Sequence, residues 1–64
     1  MDYEKQLLIE ARAAIRQFPG HRCEIIDLYT LAVGEIEEGG SAAHEYELFM
    51  DSISAIRKET LTGA

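Results

Sequence analysis

The chain has 64 residues, of which 47% are hydrophobic, and its 12 acidic and six basic side chains give a formal net charge of -6. So high an apolar content excludes a disordered chain, and we expect a packed core. The excess of acid argues against direct binding to nucleic acid or to an anionic membrane, because both need a basic patch.

Sixty-four residues suffice for one domain, which we place over residues 1–64. A chain of this length buries only roughly 60% of the surface that its unfolded form exposes, so the fold should be marginal on its own. Small domains normally gain stability from disulfides, a metal or oligomerisation. Because Cys23 is the only cysteine, a disulfide within the chain is excluded, and we expect a homo-oligomer.

The cellular location is predicted from the cysteine content and the start of the chain. A single thiol is typical of a reducing compartment. The start MDYEKQ has no basic region followed by an apolar stretch, and no apolar run approaches the roughly 18 residues of a membrane span. We therefore expect a soluble cytoplasmic protein. Short acidic chains of this kind are common among phage and mobile-element accessory proteins, which is an expectation from composition only.

The first segment has the periodicity of an α-helix, predicted over approximately residues 3–18. Apolar residues recur at steps of four, three and four, at Leu7, Ala11, Ala14 and Phe18. Asp2 is a suitable N-cap, and Pro19 ends the helix because it disfavours the α conformation of the residue before it.

The opposite face of this helix carries a basic stripe with the same spacing, formed by Lys5, Ile9, Arg12 and Arg16. One interpretation is a solvated face on which the aliphatic stems of the basic side chains cover Ile9. The other is a contact surface for an acidic partner.

The second segment is predicted as a helix over approximately residues 22–38. Its core stripe consists of Ile25, Leu28 or Tyr29, Ala32 and Ile36, and apolar residues extend well past this stripe. A helix that is apolar on most sides must be covered on most sides, and two neighbours can cover only part of it. We therefore predict an oligomer interface at Ile26, Leu31, Val33 and Ile9. Gly34 costs about 1 kcal/mol inside a helix, which indicates either a close helix crossing or weak selection.

The third helix is predicted over approximately residues 42–59, after a Gly39-Gly40-Ser41 connection that supplies a left-handed cap and an N-cap. Its apolar face consists of Ala42, Tyr46, Phe49, Ile53 and Ile56, and the final TLTGA should fray. The short connection makes helices two and three antiparallel neighbours. The predicted fold is all-α, a short three-helix bundle built on an antiparallel helical hairpin and completed by homo-oligomerisation.

The residues that could carry chemistry do not form a familiar catalytic or metal-binding pattern. His21, Cys23 and His44 could bind a metal together only if the two turns lay side by side, and an antiparallel arrangement places them at opposite ends. Cys23 is then expected to be a small buried thiol. Ser41 and His44 are spaced like a cap and its first turn, and so small a chain lacks the walls of a deep pocket. We predict no metal, no cofactor, no catalytic residues and no enzymatic activity.

Anion binding is an alternative function. The second and third predicted helices begin after glycine-containing turns, where free N–H groups attract anions. His21 and Arg22 lie at the first start, and Ser41 and His44 lie at the second. An oligomer could bring these residues together as a pocket that sequesters a nucleotide or another small anion.

An acidic tip is predicted at the end of the second helix, from Glu35, Glu37 and Glu38, with Glu45 nearby. A helix C-terminus favours cations, so each of these acids costs some tenths of a kcal/mol. The tip is either a charged, solubilising end or a surface that docks on a basic patch. That patch is either the Lys5, Arg12 and Arg16 stripe of another copy or a nucleic-acid-binding surface of a different protein. The favoured function is a small acidic, non-catalytic regulator or inhibitor that binds a target protein surface. A second alternative is an acidic mimic of nucleic acid.

Overall fold

The computed structural model describes residues 2–62, which form three α-helices and one short 3₁₀ turn. Helix α1 spans Tyr3–Gln17, α2 spans Arg22–Glu37 and α3 spans Ala42–Thr62, and the 3₁₀ turn covers Pro19–His21. The prediction of an all-α protein with three helices is confirmed, and residues 2–62 contain no strand. Helix α3 is longer than predicted: Thr60 and Leu61 are helical, and the expected fraying of Gly63 and Ala64 lies outside the described residues.

The three helices run up, down and up. The rings of Tyr3 and Tyr46, near the starts of α1 and α3, have centroids 5.6 Å apart. Near the other end of α1, the Arg57 guanidinium of α3 donates a hydrogen bond to Gln17 Oε1 at 3.4 Å. Helices α1 and α3 are therefore parallel neighbours, and α2 packs against both of them in the opposite direction.

All three helices contribute to one apolar core. Its buried members are Leu7, Ala11, Ala14, Phe18, Ile25, Ala32, Phe49, Ile53 and Ile56. Leu7 and Ile25 are completely shielded from solvent. Phe18 lies just outside α1, where its N–H donates to the Ala14 carbonyl at 2.8 Å, and its ring is covered by the Arg57 guanidinium, 6.0 Å from the ring centroid. The predicted core stripes of the helices are therefore the faces that pack together.

The connection between α2 and α3 is fixed by two glycines with different roles. Gly39 has a φ of 100°, in the left-handed region, and its N–H donates to the Ile36 carbonyl at 3.1 Å. The Gly40 N–H donates to the Glu35 carbonyl at 2.8 Å, which completes the paired bonds of a Schellman cap. A Cβ on Gly40 would lie 2.8 Å from that same carbonyl oxygen, so this position also requires glycine. Ser41 then begins α3, and its Oγ accepts a hydrogen bond from the His44 N–H at 3.3 Å.

The structure excludes one of the two interpretations of Gly34 and contradicts the expected burial of Cys23. A Cβ added to Gly34 would meet no atom within 4 Å, so no helix crosses closely at that residue. Cys23 is exposed instead of buried. The thiol precedes the buried Ile25 by two positions, which places it about 160° away around α2, on the side opposite the core.

Replacing Gly39 or Gly34 by alanine should change the stability of the protein in opposite directions. Gly39→Ala should lower the free energy of unfolding by about 1–2 kcal/mol, because it places a side chain at a left-handed φ. Gly34→Ala should raise it by about 1 kcal/mol, because alanine favours a helix interior and has open space there. Urea unfolding followed by circular dichroism, at one fixed protein concentration, measures both changes. Equal effects of the two substitutions would contradict the assigned backbone geometry.

Candidate functional site

An open groove of about 180 Å³ lies between α2 and α3, and we call it the α2–α3 groove. Its lining residues are Leu28, Leu31, Ala32, Glu45, Leu48, Phe49 and Ser52. Ala32 and Phe49 also belong to the core, so the groove opens directly above the buried layer. Leu31 and Leu48 remain 66% and 47% exposed although they are large apolar side chains. The groove is thus an apolar surface that the chain itself leaves partly uncovered.

On α2, the groove-lining Leu28 and Leu31 belong to a row of residues that ends in an acid on each side, outside the lining itself. Glu24, Leu28, Leu31 and Glu35 follow one another at steps of four, three and four, so they share one side of the helix. Glu24 and Glu35 are eleven residues apart, or about 16 Å along the helix axis. The Glu24 carboxylate lies 3.1 Å from His21 Nδ1.

The α3 wall has the same plan. Its row also begins and ends with an acid, and the first three members of the row line the groove; at steps of three, four, three and four it consists of Glu45, Leu48, Ser52, Ala55 and Glu59. Because α2 and α3 are antiparallel, Glu45 lies at the same end of the groove as Glu35, and Glu59 lies at the same end as Glu24. The side chains of Glu35, Glu45 and Glu59 form no hydrogen bond or ion pair with the other described residues. Neither wall row contains a base.

A partner that covered this groove would gain both apolar and electrostatic stabilisation. Burial of the exposed parts of Leu31 and Leu48 is worth roughly 1–2 kcal/mol per side chain. The carboxylates at the two ends favour cationic groups and, through them, a defined register of the partner. The groove has no enclosed volume and no base, so its chemistry suits a protein surface better than a small anion.

The outer face of α1 carries the opposite charge. Lys5, Ile9, Arg12 and Arg16 are all exposed, and Ile9 keeps 50% of its surface in solvent, so the basic stems cover it only in part. The three basic side chains form no hydrogen bond or ion pair with other described residues. We call this surface the α1 basic face. The unpaired charges of the molecule are thus partly segregated, with bases on α1 and acids around the groove.

The four residues predicted as an oligomer interface do not form one patch. Leu31 lies in the α2–α3 groove, and Ile9 lies on the α1 basic face. Val33 packs against the core, and Ile26, which is 40% exposed, is about 140° away from Leu31 around α2. The surplus apolar residues of α2 therefore point in different directions.

The predicted acidic tip is divided between two places. Glu35 lies on the same side of α2 as the groove-lining Leu28 and Leu31, and Glu45 is a partly buried residue of the groove lining. Glu37 is the last residue of α2, and Glu38 is its C-cap, whose N–H donates to the Gly34 carbonyl at 3.1 Å. Two of the four acids are therefore positioned next to exposed leucines.

The residues predicted to bind an anion lie at two opposite ends of α2. His21 and Arg22 are at its beginning, and Ser41 and His44 follow its end, which is about 24 Å away for a 16-residue helix. His21 Nδ1 faces the Glu24 carboxylate, and Ser41 Oγ caps α3. One copy of the chain therefore does not bring the four residues together. Within residues 2–62, no three His, Cys, Asp or Glu side chains are arranged to hold a metal ion.

Leu48 is the groove residue that the sequence interpretation missed. It immediately precedes the buried Phe49 and lies off the core stripe of α3. The sequence feature that could have identified it is a large apolar residue, three positions after Glu45, that does not belong to the core stripe of α3. Its partner Leu31 belongs to another helix, so the groove itself appears only when α2 and α3 are placed side by side.

Comparison of the chain with protein-family models, with curated proteins and with solved structures gave no match. In the described part of the chain, none of the helices has the length and apolar content that crossing a membrane requires. Inference about the function of the protein therefore depends on the surface chemistry of this chain alone.

Substitution of the groove leucines should destabilise the fold much less than substitution of a buried core residue. Leu31→Ser combined with Leu48→Ser should lower the free energy of unfolding by no more than about 2 kcal/mol, because roughly half of each side chain is already in solvent. Phe49→Ala should cost about 3–5 kcal/mol, since the ring is buried beneath the groove. Urea unfolding in dilute solution measures both. A collapse of the serine variant would mean that the leucines support the fold instead of forming a free surface.

Proposed function

We propose that the protein is a small non-catalytic interaction protein, a regulator or inhibitor that acts by occupying a surface of a target protein. The observation that carries this proposal is the α2–α3 groove, where exposed Leu31 and Leu48 lie near the carboxylates of Glu35 and Glu45. Contiguous exposed apolar surface with a polar rim is typical of protein-binding sites. The exposed thiol of Cys23 fits a reducing cytoplasm as the place of action.

The shape and charge of the groove define the chemistry of its target. Two antiparallel helices form a trough that suits a third helix, which is a common mode of peptide recognition. Such a helix would place apolar side chains over Leu31 and Leu48 and would carry basic residues at both ends of that contact. The carboxylates of Glu24 and Glu35 match bases that lie about 16 Å apart, or eleven residues along a helix. Apolar burial would supply most of the affinity, and the charges would increase the association rate and fix the register.

A designed peptide tests this proposal. The probe is a fluorescent alanine- and glutamine-based helix with two leucines between lysines eleven residues apart, at steps of four, three and four. We expect the protein to bind this peptide, and the combined Leu31→Ser and Leu48→Ser substitutions to weaken binding at least tenfold, because two apolar contacts are lost. Fluorescence anisotropy measures the affinity, and added salt should weaken it further.

Two controls make this result specific to the groove. Leu61→Ser removes a leucine of α3 that is 76% exposed but does not line the groove, and it should leave the affinity unchanged. A peptide of the same composition with its leucines scattered around the helix should bind at least tenfold more weakly. Equal binding of both peptides, or undiminished binding by the double-serine variant, would refute a groove-directed function.

A further inference from the structure

The α1 basic face has the residue spacing that the groove requires of its ligand. Lys5, Ile9, Arg12 and Arg16 follow at steps of four, three and four, as do Glu24, Leu28, Leu31 and Glu35 in the row on α2. Lys5 and Arg16 are eleven residues apart, like Glu24 and Glu35, so both pairs span about 16 Å. The terminal bases of one surface therefore match the terminal acids of the other in distance and in sign.

The terminal bases of α1 can meet the acids at the groove ends in either direction of α1 along the groove. When α1 lies antiparallel to α2, Lys5 comes opposite the Glu35 and Glu45 end, and Ile9 lies against Leu31 and Leu48. When α1 is reversed, Arg16 takes that end, and Ile9 lies against Leu28. In both cases a base lies at each end of the groove, but only the antiparallel direction places the exposed Ile9 against the exposed Leu31 and Leu48. In the reversed direction Arg12 takes the position opposite Leu31, and Ile9 covers Leu28, which is already partly buried.

We propose that the α2–α3 groove of one copy receives the α1 basic face of a second copy. This proposal rests on the proposed function only in that the groove is a docking surface. Two grooves facing each other would bring carboxylates together, and two α1 basic faces would bring bases together, so like-charge repulsion disfavours both symmetric dimers. Only the contact between unlike surfaces covers Ile9, Leu31 and Leu48 at once and pairs the charges.

Such a contact is heterologous, and it leaves one groove and one α1 basic face open at the ends of every dimer. The assembly therefore grows with concentration into a ring or an open chain. A groove that is filled by a neighbouring copy is closed to a target, so self-association and target binding compete for the same surface.

Two complementary variants test the proposal. The face variant carries Lys5→Glu and Arg12→Glu and keeps an intact groove, whereas the groove variant carries Leu31→Arg and Leu48→Arg and keeps an intact α1 basic face. All four substituted side chains are exposed, so both variants should fold, as circular dichroism would check. Light scattering should give a mass for the wild type that rises above the chain mass of 7.2 kDa with concentration and falls with added salt.

The mixture of the variants gives the decisive measurement. Each variant alone should remain at the chain mass, because each lacks one of the two surfaces. An equimolar mixture should form a one-to-one complex of twice the chain mass, since the groove of the face variant receives α1 of the groove variant. The controls Arg22→Glu and Leu61→Arg lie outside both surfaces and should associate like the wild type.

Three results would overturn the proposal. They are a wild type that stays at the chain mass at millimolar concentration, a face variant that associates as well as the wild type, and a variant mixture that forms no complex. Binding of the designed leucine- and lysine-containing peptide distinguishes a failure of the self-association proposal from a failure of the proposed function. Peptide binding to a monomeric wild type would leave the groove as a docking site for other proteins, whereas absence of both peptide binding and self-association would refute both proposals.

Discussion

The packing of α2 against both α1 and α3 is the constraint on which the rest of this structure depends. Its core face, centred on Ile25 and Ala32, is covered by these two helices, which also pack against each other. Two neighbours cannot enclose a helix whose apolar residues occupy most of its circumference. Leu31 and Ile26 are left in solvent as a result, and the walls of the α2–α3 groove are a direct product of this incomplete coverage.

Much of the fold follows from local patterns in the sequence. The apolar steps of α1 identify Leu7, Ala11, Ala14 and Phe18, and all four are buried. The Gly39-Gly40-Ser41 segment is sufficient to predict a turn, because positive φ and N-capping are properties of single residues. The end of α3 was less predictable: its last turn carries little apolar signal, and Thr60 stabilises it by donating a hydroxyl hydrogen bond to the Ile56 carbonyl at 2.9 Å.

The candidate site was less accessible to sequence reasoning, because it joins two helices. Periodicity indicates which residues share a side of one helix, but it does not indicate which sides of two helices border the same groove. Leu31 was recognised as surplus apolar surface, whereas Leu48 was missed because it adjoins a core residue. The acids were found by their position near the end of α2, and their relation to the leucines required the register of α2 against α3.

That register is held by the connection between the two helices. Gly39 adopts a conformation that other residues avoid, and Gly40 has no room for a side chain against the Glu35 carbonyl, so the connection has little freedom to slide or lengthen. One residue inserted there would disrupt the paired hydrogen bonds of Gly39 and Gly40, which fix how α3 leaves the end of α2. Each helix could survive such an insertion with its own sequence intact, but the start of α3, with Glu45 and Leu48, would no longer be held at one position beside the end of α2. The two glycines thus fix the length of the connection and, through it, the relative position of the two groove walls, although neither glycine lines the groove.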